Sequence, residues 1–384
     1  MKVAHFFHTY LKTTENWCYK LLKNLSSVDL MIVSEDVENE DSFPLPNARF
    51  IIAPYSSWKV RSPWLLQKAL NRLRLLLGTV WRRIIIFQVK DADIMHAHFS
   101  FVGWKYLWIA QMTKIPMVIS FYGFDYEYLP NTKPVWKKRY QKLFDKASLF
   151  LTEGNVGRAT LIRMGCPEGK VRVVHLGVET ANIPYHERAK RPNELRLVQI
   201  ASFIEKKGQD ATVKAFIKAF EKCPNMTLTF VGKDSNGRRG PLQQLISGAG
   251  LDDRVEFIDG IDFSELYSFL KNYQLFIHPS KYGRNRNSEG GAPVVLLDAQ
   301  ATGMPVLSTF HCDIPEEVVH GRTGLLVQEN DVEGLAAMIE TFYRMDQPEY
   351  HVYCEEARKH VKQNYESVRC AEELKKAYQR LLNQ

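Results

Sequence analysis

The sequence predicts an α/β protein of two domains, each built on a parallel sheet with helices on both faces. Three observations carry this expectation. Short β-rich runs alternate with helical patterns along the chain. The pattern pauses at a polar, charged linker, residues 184–192, and resets with a new strand at 195–201. A length of 384 residues suits two full hydrophobic cores. The domains are expected at 1–185 and 190–365, with 366–384 as a terminal helix.

In the first half, strands are expected at 2–7, 29–34, 93–97, 116–121, 148–152 and 171–175. Such sheets bind ligands beyond the carboxyl ends of their strands, so the residues that follow each run are the informative ones. No Gly-rich dinucleotide turn follows the first strand. Thr14-Glu15 there reads as a helix start. His96 and His98 fall on one face of their strand, as core or edge histidines. As a metal pair they lack a neighbouring carboxylate or Cys. Phe121-Tyr122-Gly123-Phe124-Asp125 is either a Gly turn with an exposed Asp or a site segment.

Residues 42–90 contain no Asp or Glu but nine Lys/Arg, with Trp58, Trp64 and Trp81 interleaved. Within them, Trp64–Leu77 has a helical apolar stripe flanked by Lys68, Arg72 and Arg74. It reads as a core helix with a solvated basic face or as a contact with an anionic membrane surface. Nucleic acid is not expected, because no nucleic-acid motif accompanies the charge.

In the second half, 195–201 ends in Ser202-Phe203-Ile204-Glu205-Lys206-Lys207-Gly208. A Lys beside Gly at a strand end is a solvated turn or a point charge for a diphosphate. Strands are expected at 226–232 and 274–280, and a segment 254–260 lies between them. Residues 286–309 then join a polar loop, Gly290-Gly291-Ala292-Pro293-Val294, to an apolar helix closed by Gly303 and a strand. A helix entered through glycines presents free N–H groups and suits phosphate. Glu289 precedes it and Asp298 interrupts it. The pair reads as a cap plus a structural acid, or as two acceptors for sugar hydroxyls. Residues 331–382 read as amphipathic helices.

Composition narrows the class. Residues 1–190 carry 27 basic and 16 acidic side chains, net +11, and residues 191–384 carry 24 and 27, net −3. The positive excess therefore lies in the first half and implies an anionic partner there. Six scattered Cys without a C-x-x-C pair suit free thiols in a reducing cytosol. No apolar run is long enough to span a membrane, and residues 1–7 read as a strand and not as a signal peptide. A cytoplasmic protein, at most peripheral on the inner membrane face, is expected.

Together these segments resemble the family-4 retaining glycosyltransferases of the GT-B fold, in particular bacterial exopolysaccharide and colanic acid types. The likeness covers nearly the whole chain. Glu289 and Asp298 resemble the family's Glu-x7-Glu signature, with Asp for the second Glu and nine positions of separation instead of eight. Ser202 and Lys207 fall on its diphosphate-clamping Arg and Lys. Tyr122 falls on a His that faces the reacting sugar, and Ile258 lies in the segment whose backbone meets the base. Thr14, Glu15, His98 and Asp125 resemble its acceptor-side segments. The resemblance implies two Rossmann-like domains facing across a cleft, with the last helix crossing back to the first domain. It implies transfer from a nucleoside-diphosphate sugar, UDP-sugar favoured and GDP-sugar possible, to a saccharide or polyprenyl-diphosphate-linked acceptor. No Asp-x-Asp segment is expected in the chain, and so neither a cofactor nor a required metal. Glu289, Tyr122 and Lys207 would be catalytic. Gly290, Gly291, Ala292, Pro293, Val294 and Asp298 would complete the donor site. Two alternatives stand beside this: a nucleotide-sugar 2-epimerase of the same fold, and a non-catalytic nucleotide-sugar-binding partner subunit.

Overall fold

The computed structural model describes residues 1–12, 15–53, 78, 80–81 and 83–383. Thr14 and the Trp64–Leu77 stretch lie outside the described residues. Thirteen strands are described: β1 Lys2–Tyr10, β2 Asp29–Val37, β3 Arg49–Ile52, β4 Ile94–His98, β5 Met117–Ser120, β6 Leu149–Thr152, β7 Val171–Val173, β8 Leu195–Ile200, β9 Met226–Val231, β10 Val255–Ile258, β11 Leu275–His278, β12 Val306–Thr309 and β13 Gly324–Val327. They form two parallel sheets, ordered β3-β2-β1-β4-β5-β6-β7 and β10-β9-β8-β11-β12-β13. Inner strands such as β4, β5, β11 and β12 are buried along their whole length, because helices cover both sheet faces. In each sheet the order reverses direction next to the first strand, beside β1 and β8. That reversal opens a crevice at the carboxyl ends.

The strand β3 has no counterpart in the sequence expectations. Its four residues lie inside the acid-free basic stretch, where charge outweighs any alternation. Several ends also move. The helix expected from Pro293 spans only Val295–Ala301, so Asp298 lies in its first turn. Gly303 follows with φ +80°, a left-handed stop that favours Gly.

The first sheet packs one face on a cluster that includes Phe6, Met95, Ile119 and Tyr140. Its other face meets the terminal helix, Ser367–Leu382, through Cys370, Ala371, Leu374 and Tyr378. Tyr378 Oη lies 2.6 Å from His96 Nδ1. The last helix thus belongs physically to the first domain, although the chain reaches it from the second. The charged linker is less solvated than its composition suggests. Arg188 is buried, with Nε donating to the Tyr273 carbonyl at 2.8 Å and Nη1 to the Thr302 carbonyl at 2.7 Å. The guanidinium satisfies carbonyls at element ends of the second domain and ties the linker there.

The domains touch at several points. Gly123 and Gly290 pack backbone on backbone: a Cβ on Gly123 would lie 1.9 Å from the Glu289 carbonyl oxygen, and one on Gly290 would lie 1.9 Å from Gly123 Cα. Arg286 Nη2 pairs with Glu127 at 2.9 Å. The first amides of the helix Asn155–Arg163 are capped from the opposite domain. Val156 N–H donates to Asp313 at 2.7 Å and Asn155 N–H to Glu316 at 3.0 Å.

Candidate active site

The carboxyl ends of β8, β11 and β12 converge on Glu289. Its Oε2 lies 2.8 Å from Lys207 Nζ and 3.3 Å from Lys206 Nζ, and its Oε1 accepts from Ser280 Oγ at 3.0 Å. His278, at the end of β11, has Nε2 3.9 Å from the same carboxylate. Glu289 is 5% exposed. Burial alone would raise its pKa, but Lys207 and Lys206 outweigh it and hold the carboxyl well below the usual carboxylate range. Burial lowers the Lys207 ammonium, and Glu289 pulls it back up. The cluster is therefore one carboxylate between two ammonium groups, so a net positive charge is left over for an anion.

Lys206 also donates to the Ser288 carbonyl at 2.7 Å, which leaves Lys207 as the cation aimed at Glu289 alone. Both lysines sit in a short turn, Glu205–Lys207, which ends at Gly208 with φ +68°. A Cβ at Gly208 would lie 2.0 Å from the Pro279 carbonyl, so the turn can close onto β11 only with Gly there. Ser202 is exposed in the same loop, and Ile258 is the last residue of β10.

Asp298 is buried in the helix Val295–Ala301. Its Oδ1 accepts from Tyr267 Oη at 2.9 Å and lies 3.6 Å from Lys20 Nζ of the first domain. Lys20 is itself buried, without a hydrogen-bond partner, and its ammonium lies over the Phe263 ring at 5.1 Å. Tyr267 and Lys20 had no sequence signal. Each belongs to an element remote in the chain, and Lys20 reads locally as the polar face of a helix.

The expected donor-loop residues also serve the domain contact. Gly290 meets Gly123, and a Cβ on Gly291 would lie 2.0 Å from Glu153 Oε2. Ala292 and Val294 are partly buried, and Pro293 is buried beside them.

On the first domain, Tyr122 is 6% exposed, and its phenol lies 2.9 Å from His98 Nδ1, directed into the core. The position of Asp125 sets aside one of its two readings, the exposed acid of a Gly turn. It is fully buried, not exposed, and its carboxylate accepts the N–H groups of Tyr122 and Ser100 at 3.1 Å each. Burial pushes it up to about 7 despite those bonds. Its place is inside the turn, holding Tyr122. Glu15 precedes the helix Asn16–Lys23 and is partly buried, which raises its pKa.

His5, His96 and His98 form one buried group whose ligand atoms lie within 4.8 Å of one another. Cys18 Sγ approaches His98 Nδ1 at 3.6 Å, company that the sequence did not indicate. The rings could offer nitrogens to a metal; most of them are already engaged, but His5 Nε2 is buried without a hydrogen-bond partner. His5 Nδ1 meets His98 Nε2 at 3.1 Å, and His96 holds Tyr378 and Ser120 with its two nitrogens. Burial lowers His5 to about 3 and the other two well below their ordinary value, so all three are neutral. They act as a hydrogen-bonded strut under the cleft wall.

The expectation that the chain has no Asp-x-Asp segment is wrong: Asp91-Ala92-Asp93 has that spacing. It sits at the amino end of β4, and Asp93 accepts the Lys2 backbone N–H at 2.7 Å. That is the sheet end opposite the cleft. A second acidic group lies at the domain seam. Asp313 is pushed up to about 7, by burial first and then by Glu316, and burial raises Glu153 and Glu317 as well.

This geometry has relatives. Residues 5–182 match Glycosyltransferase Family 4, and residues 185–361 match Glycosyl transferases group 1. The chain is 31% identical over 280 residues to WcaL of Salmonella typhimurium, named as a colanic acid biosynthesis glycosyltransferase, covering 71% of this chain and 67% of that protein. It is 29% identical over 252 residues to the amylovoran biosynthesis glycosyltransferase AmsK of Erwinia amylovora, covering 65% of this chain and 60% of AmsK. Among solved structures, HepE of Anabaena in complex with UDP aligns over 98% of this chain and 99% of its own, with a TM-score of 0.73 at 16% identity. A sucrose-phosphate synthase of Thermosynechococcus elongatus aligns with a TM-score of 0.74 at 15% identity, over 100% and 99% of the two chains. With both halves matched and the GT-B architecture in place, the chain belongs to the family-4 glycosyltransferases.

Proposed function

We propose that this glycosyltransferase moves a sugar, with retention of configuration and without a required metal, from a UDP-sugar to a saccharide or polyprenyl-diphosphate-linked acceptor in surface polysaccharide synthesis. The observation that carries the proposal is the cluster of Glu289 with Lys206 and Lys207 at the crevice end of the second sheet. A donor diphosphate placed there would take up Lys207 and share its charge with Glu289. Transfer would then rest on position and on stabilising the departing diphosphate. Asp298 with Tyr267 would receive the ribose hydroxyls, and the Ile258 backbone would meet the base. Tyr122, held by His98, would shape the sugar pocket more than titrate in it. Thr14 and Glu15 would line the acceptor side.

UDP is favoured over GDP because HepE was solved with UDP and with UDP-glucose. The polysaccharide context follows from the names of WcaL and AmsK. Nothing supports the 2-epimerase alternative. Among the described residues no helix is long and apolar enough to cross a membrane. The net +11 of residues 1–190 and the Trp64–Leu77 stretch suit reversible attachment to an anionic inner membrane face. Calorimetric titration with UDP and GDP tests the donor site. UDP should bind, and Lys207→Ala should weaken it by about 1.5–3 kcal/mol, the range for hydrogen bonds to charged groups. Binding that does not change with Lys207 would remove it from the donor site.

A further inference from the structure

The loop that carries Glu289 is held at both ends by one histidine–carboxylate pair, His311 and Glu329. His311, fully buried just after β12, has Nδ1 2.7 Å from Glu329 Oε1, and Glu329 follows β13. His311 Nε2 accepts the backbone N–H of Glu289 at 3.2 Å. The second oxygen of Glu329 accepts the backbone N–H of Tyr282 at 2.9 Å. One pair therefore anchors residue 282, where the loop leaves β11, and residue 289, where it delivers its carboxylate.

The hydrogen-bond inventory permits one tautomer. An ionised carboxylate only accepts, so Nδ1 carries the hydrogen. A backbone amide only donates, so Nε2 carries none. Cys312 Sγ, 3.3 Å from the same Nε2, and the Tyr282 ring, edge-on at 4.9 Å, close the imidazole in.

We propose that Glu329 and His311 are a positioning pair for glycosyl transfer: Glu329 sets the His311 tautomer, and His311 sets the main-chain height of Glu289 and hence where its carboxylate stands against the donor. The proposal rests on Glu289 facing the donor sugar. Lys207 and Ser280 hold the carboxylate from β8 and β11, so losing the pair would misplace Glu289 and not expel it. A misplacement of about 1 Å is enough to cost about a hundredfold in rate.

Two measurements on the full chain test it. In a spectrum selective for ¹⁵N-labelled histidine at neutral pH, His311 should be the neutral Nδ1–H tautomer and should lose that state in Glu329→Gln. Turnover is read as UDP or GDP release from whichever of UDP-glucose, UDP-galactose, UDP-N-acetylglucosamine and GDP-mannose the wild type uses fastest. Glu329→Gln and His311→Asn should lower kcat at least tenfold, with the donor KM and the Kd for the released nucleotide within twofold and Tm nearly unchanged. His311→Gln, whose carbonyl reaches the Nε2 position, should retain more activity than His311→Asn, whose carbonyl reaches only the Nδ1 position. An Nε2–H tautomer overturns the proposal, and so does wild-type turnover by His311→Asn while Glu289→Gln is impaired. Full turnover by Glu289→Gln, or no turnover of any donor by the wild type, overturns the reading of Glu289 and the proposal with it.

Discussion

Lys207→Ala perturbs the cluster at its strongest contact. Leaving one partner of a fully buried ion pair uncompensated costs about 3–5 kcal/mol. Here Lys206 remains 3.3 Å from the same oxygen, Ser280 still donates to the other, and Lys207 is 16% exposed. The expected loss is therefore about 2 kcal/mol, near the value of one hydrogen bond to a charged group. In a domain of this size about 1 kcal/mol moves Tm by about 2–4 °C, so the second-domain transition should fall by about 4–8 °C. A double-mutant cycle isolates the pair. In a Glu289→Gln background the same Lys207→Ala change should cost under about 0.5 kcal/mol, leaving a coupling near 2 kcal/mol. The pH sign follows from Glu289, whose folded pKa is depressed. Its contribution is fully present above the ordinary carboxylate range and is lost as pH falls through the folded value. The gap between wild type and Lys207→Ala should hold from pH 6 to 8 and begin to narrow only as pH falls below about 4. Calorimetric or urea melts at pH 7 read the cycle. Additive costs, with coupling below about 0.5 kcal/mol, would refute the placement of Lys207 on Glu289.

Other predictions concern the donor, the seam and the membrane. Glu289→Gln should lower turnover more than it weakens UDP binding, whereas Asp298→Asn should weaken both; calorimetry beside a UDP-release assay separates them, and UDP binding unmoved by Asp298→Asn takes that acid out of the ribose site. Asp313, raised to about 7 when folded, makes the fold less stable as pH rises from its unfolded value towards 7. Asp313→Asn should therefore match wild type in Tm near pH 4 and exceed it at pH 8, and parallel curves would contradict the burial of that acid. Gly123→Ala places a methyl 1.9 Å from the Glu289 carbonyl, so it should leave both domains folded, hold the cleft open by X-ray scattering and lower turnover at least tenfold. Charge reversal of Arg61, Lys68, Arg72 and Arg74 to Glu should abolish salt-sensitive sedimentation with anionic vesicles, and a wild type that stays in the supernatant at low salt would leave the stretch as a solvated face.

Much of this architecture is legible locally. Strands buried on both faces read as apolar runs, and Gly303 and the turn at Lys206-Lys207-Gly208 mark real boundaries. Lys207 reads from its own neighbours only as a solvated turn or a charge for a diphosphate, and its contact with Glu289 depends on a residue 82 positions away. What could not be read depends on residues far apart in sequence. Ser280, His278, His311 and Glu329 reach Glu289 or its loop from three other strand ends, and Lys20 reaches Asp298 from the opposite domain. Gly290 and Gly291 read as a phosphate-friendly loop, but their missing side chains are also what lets the domains meet. For Asp125 the sequence leaves an exposed acid in a Gly turn open beside a site segment, yet backbone donors from two segments satisfy it inside. Tyr122 suggested a phenol facing the sugar. The His98 nitrogen that turns it inward sits on another strand, and nothing in either motif joins the two.

The central claim is transfer from a nucleotide sugar, and product analysis tests it most directly. The purified chain, kept in excess EDTA, is incubated with radiolabelled UDP-glucose, UDP-galactose, UDP-N-acetylglucosamine and GDP-mannose in turn, with polyprenyl-diphosphate oligosaccharide as acceptor. The account predicts label in the lipid-linked fraction from a UDP-sugar, stoichiometric UDP, and a glycosidic bond with the donor's anomeric configuration by NMR. Label that stays in an epimerised nucleotide sugar, an inverted linkage, or no transfer from any donor would contradict it.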